Sequence, residues 1–224
     1  MSDQTDQKRF LEDAIFEQFA RIGKALSSPK RLEILYLLSQ SERTVESLAK
    51  AASLSMANTS QHLQRLKQAQ LVREVRQGVH IHYHIADPSV IRLWLELRSV
   101  AERQLAEVER VLDAYRHRRH ELEKISVDEL QARLRSGDVI LIDVRPREEY
   151  QAGHLPGAIS IPLGELEPRV GEIPRDKTIV VYCRGPYCIY SDEAIELLAK
   201  RGWTATRLEE GVVEWQQYGY ALER

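Results

Sequence analysis

Cysteine is scarce in this chain: there are two among 224 residues, and none before position 183. A set of disulfide staples is therefore excluded as the source of the fold. Two cysteines close together in a loop fit a chemical role in a reducing compartment better than a structural one. No apolar run approaches the ~18–20 residues of a membrane span, so a membrane partner is not expected. The opening residues, M-S-D-Q-T-D-Q-K-R, are polar and unlike a secretory signal, and the expected location is cytoplasmic. Glycine and proline are absent from residues 89–123, so nothing there interrupts a helix. Charge of one sign is not in large excess either, the formal net charge being −2. That small value hides an asymmetry. Residues 1–124 hold 20 Lys/Arg against 17 Asp/Glu, and residues 125–224 hold 12 against 17. A net +3 precedes a net −5, so an anionic partner is expected for the first half only. The length permits two domains of ordinary size, and 1–124 and 125–224 are the expected pair.

What is there begins with helices. Apolar residues at 10, 11, 14, 15, 19, 22 and 26 mark an amphipathic helix. Ser28 and Pro29 start a second, largely buried helix. Thr44 caps a short third helix, and Ser55 caps a fourth over about 56–69. Leu63 and Leu66 turn inward on that fourth helix, while Asn58, Ser60, Gln61, Gln64 and Arg65 turn mostly outward. Two short strands, 71–76 and 80–85, are joined across Gln77-Gly78-Val79. Helix, turn, helix and hairpin is the order of a winged helix-turn-helix, whose fourth helix fits a DNA major groove. The segments L-S-S-P-K-R-L-E-I-L (26–35), L-S-M-A-N-T-S-Q-H-L-Q-R-L (54–66) and L-V-R-E-V-R-Q-G-V-H-I-H-Y-H-I (71–85) resemble the ArsR family of bacterial repressors over about residues 10–115. The resemblance implies a homodimer on double-stranded operator DNA. Asn58, Ser60, Gln61, Gln64, Arg65, Lys67, Arg76 and His80 are its candidate DNA contacts. That family's metal-sensing cysteines have no counterpart here. His80, His82 and His84 alternate on one strand face, with Ile81, Tyr83 and Ile85 facing the core. Such a face can touch phosphate or bind metal; no metal or cofactor is assigned. In residues 89–123 apolar positions recur every three or four residues, a heptad seam about 50 Å long if fully helical, suited to a partner helix. The charged residues 116–124 read as a connector.

From residue 125 onward strands and helices alternate, which gives a parallel sheet covered by helices. An apolar run, 178–182, drives into V-V-Y-C-R-G-P-Y-C-I-Y-S (180–191). Gly185 and Pro186 break regular structure, and a helical pattern follows. Cys183 thus sits where a strand ends and a helix begins, the edge at which such sheets bind ligands. Loop amides and the helix start both favour a thiolate. This loop resembles the active-site loop of rhodanese-type sulfurtransferases. The segments V-I-L-I-D-V-R-P-R-E-E-Y-Q-A-G-H-L-P-G-A-I-S-I-P-L (139–163) and L-E-E-G-V-V-E-W-Q-Q-Y-G-Y (208–220) resemble that family too, with Glu210 where a glycine is usual. The resemblance implies that Cys183 accepts sulfane sulfur as a persulfide. Arg184, Gly185 and Tyr187 complete the candidate catalytic loop. Arg184 either stabilises the thiolate or faces solvent. Cys188 departs from the family pattern: it is either a resolving partner for Cys183 or a small residue filling the site. Asp143 and Arg145 are expected to brace the fold, with Arg145 against Glu149. A phosphatase would need Arg near position 188 and is set aside. The expected protein is a repressor whose rhodanese-like domain senses or processes a sulfane sulfur donor or other thiol-reactive small molecule. The alternative is a sulfurtransferase whose first half serves for dimerisation or recruitment.

Overall fold

The computed structural model describes residues 2–117, 124–137, 139–175 and 177–224. The chain divides into two compact units, Met1–Arg103 and Gln104–Arg224.

The first unit is a helical layer with a small antiparallel sheet. Helix α1 (Ser2–Leu26) leads to α2 (Pro29–Leu38), which starts at Pro29 after an extended Ser28. Strand β1 (Arg43–Thr44) precedes α3 (Val45–Ala51), where the Thr44 side chain accepts from the Ser47 amide at 3.2 Å. Ser55 caps α4 (Met56–Gln68) in the same way, through the Asn58 amide at 3.2 Å. These caps satisfy amides that a helix start leaves without partners. The wing pairs β2 (Val72–Gln77) with β3 (His80–Ile85), and β1 adds to β3, giving the order β1-β3-β2. Ile34, Leu35, Leu48, Leu63, Leu66 and Tyr83 close the core.

The wing departs from the expected alternation. Tyr83 is buried, but Ile81 is 46% exposed, because it lies toward the tip of a hairpin whose β2 residues are also exposed after Val72. His82 and His84 are not an open face: their rings approach Glu42 at 3.2 and 3.4 Å and are largely covered. His80 remains exposed. The long helix is also interrupted. Helix α5 (Pro88–Gln104) and α6 (Ala106–His117) are separated at Leu105, and nothing in the local sequence explains the break. Most of the connector expected at 116–124 lies outside the described residues.

The second unit is a five-stranded parallel sheet in the order β4-β8-β7-β5-β6. Its strands are β4 (Lys124–Ile125), β5 (Val139–Asp143), β6 (Ile159–Ser160), β7 (Thr178–Tyr182) and β8 (Ala205–Leu208). Between them run α7 (Val127–Ser136), α8 (Arg147–Ala152), α9 (Leu163–Arg169) and α10 (Tyr190–Lys200), and α11 (Val212–Gln217) follows β8. The central strand β7 is buried at Ile179, Val180, Val181 and Tyr182, as a continuous apolar strand between two parallel neighbours must be.

Candidate functional site

The site of the second unit forms where β7 ends. Cys183 follows the last strand residue, and the loop 183–189 feeds α10. Cys183 and Cys188 are joined by a disulfide, with their Cα atoms 6.1 Å apart. The loop turns tightly: the Cys188 amide donates to the Gly185 carbonyl at 3.1 Å. Both cysteines are buried, at 1% and 6% exposure, so in this bonded form neither sulfur is offered to a large reactant.

Two glycines make that loop possible. Gly185 has φ +139°, a conformation open mainly to glycine. Gly211 lies so close that an added Cβ would stand 2.4 Å from the Arg184 carbonyl carbon. The segment ahead of α11 therefore closes directly over the loop backbone. Glu214 of α11 accepts from the Gly211 amide at 3.1 Å and borders Gly185. Glu210, in the usual glycine position, is half-buried. Burial, with Glu209, Glu214 and Asp128 adding to it, raises its carboxyl above the ordinary range.

Arg184 does not face solvent, and with the cysteines bonded there is no thiolate for it to stabilise. Its guanidinium makes contacts of 2.7–3.0 Å to Glu149 and lies over the Tyr190 ring at 5.3 Å. Glu149 also acts on Arg145 through its charge, one of the influences that raise the Arg145 pKa. Arg145 itself grips Asp143, at 2.6–3.0 Å, and donates to the Gly153 carbonyl at 2.8 Å. The reason is local: Asp143 ends β5 two residues earlier, and its carboxylate also accepts the Arg145 amide at 2.9 Å. Tyr187 is half-buried in the loop.

Sequence reasoning missed one pair that holds the loop. Arg207, on β8, donates to the Pro186 carbonyl at 2.8 Å and contacts Asp192, in the first turn of α10, at 3.2 Å. Both side chains are almost fully buried. The apolar surroundings of Arg207 in a short strand are the one clue, since a buried charge needs a partner.

In the first unit, Asn58, Gln61, Gln64 and Arg65 share the exposed side of α4, with Ser60 half-buried. Lys67 pairs with Glu74 at 2.6 Å, and Arg76 donates to the Gly78 carbonyl at 3.2 Å. Arg76 and His80 are exposed on the wing strands. Among the described residues no group of three or more His, Cys, Asp or Glu side chains is arranged to hold a metal, and no helix is long and apolar enough to cross a membrane.

A winged helix joined to a parallel-sheet unit with a strand-to-helix cysteine loop defines the class: a transcriptional regulator with a sulfurtransferase-like domain. Residues 28–74 match the arsR family of bacterial regulatory proteins, and residues 126–218 match the rhodanese-like domain. An HTH-type transcriptional regulator of Mycobacterium tuberculosis, Rv0324, is 41% identical over the whole chain and 96% of its own length. This chain belongs to the ArsR family of regulators and carries a rhodanese-like domain. The HTH-type transcriptional regulator YgaV of Escherichia coli is 39% identical over 38% of this chain and 86% of its own length. A sulfurtransferase of Allochromatium vinosum is 31% identical over 38% of this chain and 78% of its own length. A homodimeric winged helix-turn-helix DNA-binding domain from Mycobacterium bovis is 41% identical over 42% of this chain and 87% of that one, at a TM-score of 0.41.

Proposed function

We propose that this regulator is a homodimeric repressor whose grip on its operator is set by sulfur chemistry at Cys183 and Cys188. The observation that carries the reading is the pairing of the two sulfurs within one strand-to-helix loop. With thiosulfate as donor, the Cys183 thiolate takes the outer sulfur and sulfite leaves with the electron pair of the broken S–S bond. Cys183 is then a persulfide. The Cys188 thiolate attacks its inner sulfur, the outer sulfur departs as hydrosulfide, and a Cys183–Cys188 disulfide remains. The donor is reduced and the dithiol oxidised; a low-molecular-weight thiol resets the pair. A loop that closes on itself suits a signal better than continuous turnover.

The test is operator binding by the full chain in the reduced state, with and without thiosulfate or a polysulfide. Expected is specific binding near the protein's own gene or a neighbour that changes at least several-fold with donor. Turnover without any sequence-specific DNA binding points instead to the sulfurtransferase reading. Gln61→Ala and Arg65→Ala should each weaken specific binding by ~1–3 kcal/mol. Lys67→Ala should weaken it on every sequence and flatten its salt dependence.

Dimerisation is supported by apolar side chains left outside. Phe10, Leu11, Ile15, Phe16 and Phe19 on α1 are 51–72% exposed, and Leu93, Leu97 and Val100 on α5 are 39–47% exposed. Such stripes on regular helices mark an interface. Phe16→Glu combined with Leu97→Glu should give monomers in sedimentation, with folded-state circular dichroism retained. An unchanged dimer would move the interface elsewhere. Operator binding should be lost along with the dimer, because two half-sites about 34 Å apart must be held together.

A further inference from the structure

The first unit holds a cavity of about 840 Å³ between α1, α2 and α4, which the sulfur chemistry does not use. Its walls carry Arg21 and Lys24 from α1, Arg31 from α2, and His62 and Arg65 from α4. No carboxylate is among its lining residues. Arg31 is 5% exposed, its guanidinium turned by bonds to the Ala25 and Lys24 carbonyls. Arg21 donates to the Gln68 carbonyl at 3.1 Å, which bridges α1 to the end of α4. The ring nitrogen Nδ1 of His62 is buried and has no hydrogen-bond partner among the described residues.

Cations gathered in one cleft repel each other unless an anion joins them. The strain is legible in two groups. Burial and then Arg65 lower the Arg31 pKa. Burial, followed by Arg31, Arg65 and Lys30, lowers that of His62. The remaining charges facing His62 across the cavity, Arg21 and Lys24, have the same sign.

We propose that this cavity is an effector site for a small polyanion bearing phosphate- or sulfonate-type oxygens. Arg21, Lys24 and Arg65 supply charge, and His62, which lines the same cleft, adds to it when protonated. The occupant rests against His62 and Arg65 of the same helix that carries Gln61 and Gln64, so its binding and DNA reading share one element. An anion also favours the His62 imidazolium, so affinity rises as pH falls through the histidine range.

The test uses the full-length protein with pyrophosphate as the probe, at constant ionic strength set by potassium chloride. Expected are saturable binding by calorimetry and an upward move of the His62 titration midpoint by NMR. Arg21→Gln with Lys24→Gln, both exposed and so tolerable to the fold, should weaken binding at least tenfold while leaving circular dichroism unchanged. Chloride-like behaviour of pyrophosphate, an unmoved His62 or an unaffected double variant each overturns the proposal. A free polyanion is also distinguished from a DNA backbone phosphate. If pyrophosphate merely competes with DNA, and the double variant loses affinity on every sequence with a shallower salt slope, the cavity is a phosphate clamp for DNA and the effector site is wrong. Every arm is read with both cysteines replaced by serine as well, so the outcome is independent of sulfur sensing.

Discussion

Cys183→Ser should abolish both sulfur transfer and the response of DNA binding to sulfane donors. The serine hydroxyl is nearly isosteric, but at neutral pH it is neither ionised nor able to carry a sulfane sulfur. Transfer should fall to the uncatalysed background. Cys188→Ser should separate the two steps. The persulfide on Cys183 should still form and be visible by mass spectrometry as one added sulfur atom. It should then persist, because the nucleophile that expels hydrosulfide is gone. The DNA response should be blunted if the closed disulfide is the signal. If Cys183→Ser responds to donor like the wild type, the cysteine pair is not the sensor. If Cys188→Ser responds fully, the persulfide alone is the signal and Cys188 is a filler. The variants should not unfold the protein, because the loop keeps its other anchors: the Arg207 bond to Pro186 at 2.8 Å and the close pass of Gly211.

The two halves of that loop were unequally legible. A β-branched run ending in Cys-Arg-Gly-Pro and followed by a helical stripe has a local cause, and β7 and α10 lie within one residue of the spans read from it. The caps at Thr44 and Ser55 are equally local and equally readable. The ion pairs are not. Arg184 finds Glu149, 35 positions earlier, and Arg207 meets Asp192 only because β8 is laid beside β7. Sequence spacing carries no information about which buried charge meets which. Asp143 and Arg145 do brace the fold, but by bonding each other, while Glu149 bonds Arg184 and acts on Arg145 through its charge. Glu42 is a similar case. It lies just ahead of β1, and only the pairing of β1 with β3 places it beside His82 and His84. Two-residue strands such as β1 and β4 have too few positions to show a period. The seam over 89–123 did promise an unbroken helix, and its interruption at Leu105 has no signal in glycine or proline.

The buried pair under the loop should give the largest stability effect. Asp143 and Arg145 are both fully buried, and the Tyr182 hydroxyl donates to the same carboxylate at 2.6 Å. Burial, reinforced by Asp143, raises the Tyr182 pKa well above its ordinary value, so this hydroxyl stays a donor. Removing only the cation, as in Arg145→Met, leaves a buried carboxylate with no countercharge, held only by the Tyr182 hydroxyl and the backbone amide of residue 145. The expected cost is about 3–5 kcal/mol. Replacing both, with Asp143→Leu and Arg145→Met, removes the orphaned charge and should recover much of that loss. The Tyr182 hydroxyl then retains only its bond from the Leu155 amide, at 3.1 Å, so recovery should be incomplete. Urea unfolding can be read from Trp203 and Trp215 of the second unit in a Trp94→Phe background. That choice matters, because a chain of two units need not unfold in one step. A double variant as unstable as Arg145→Met alone would show that shape, not charge, is what the pair supplies. Tyr182 immediately precedes Cys183, so the same variants test the site as well. If the pair anchors the floor of the loop, Arg145→Met should slow persulfide formation even under conditions where the second unit remains folded.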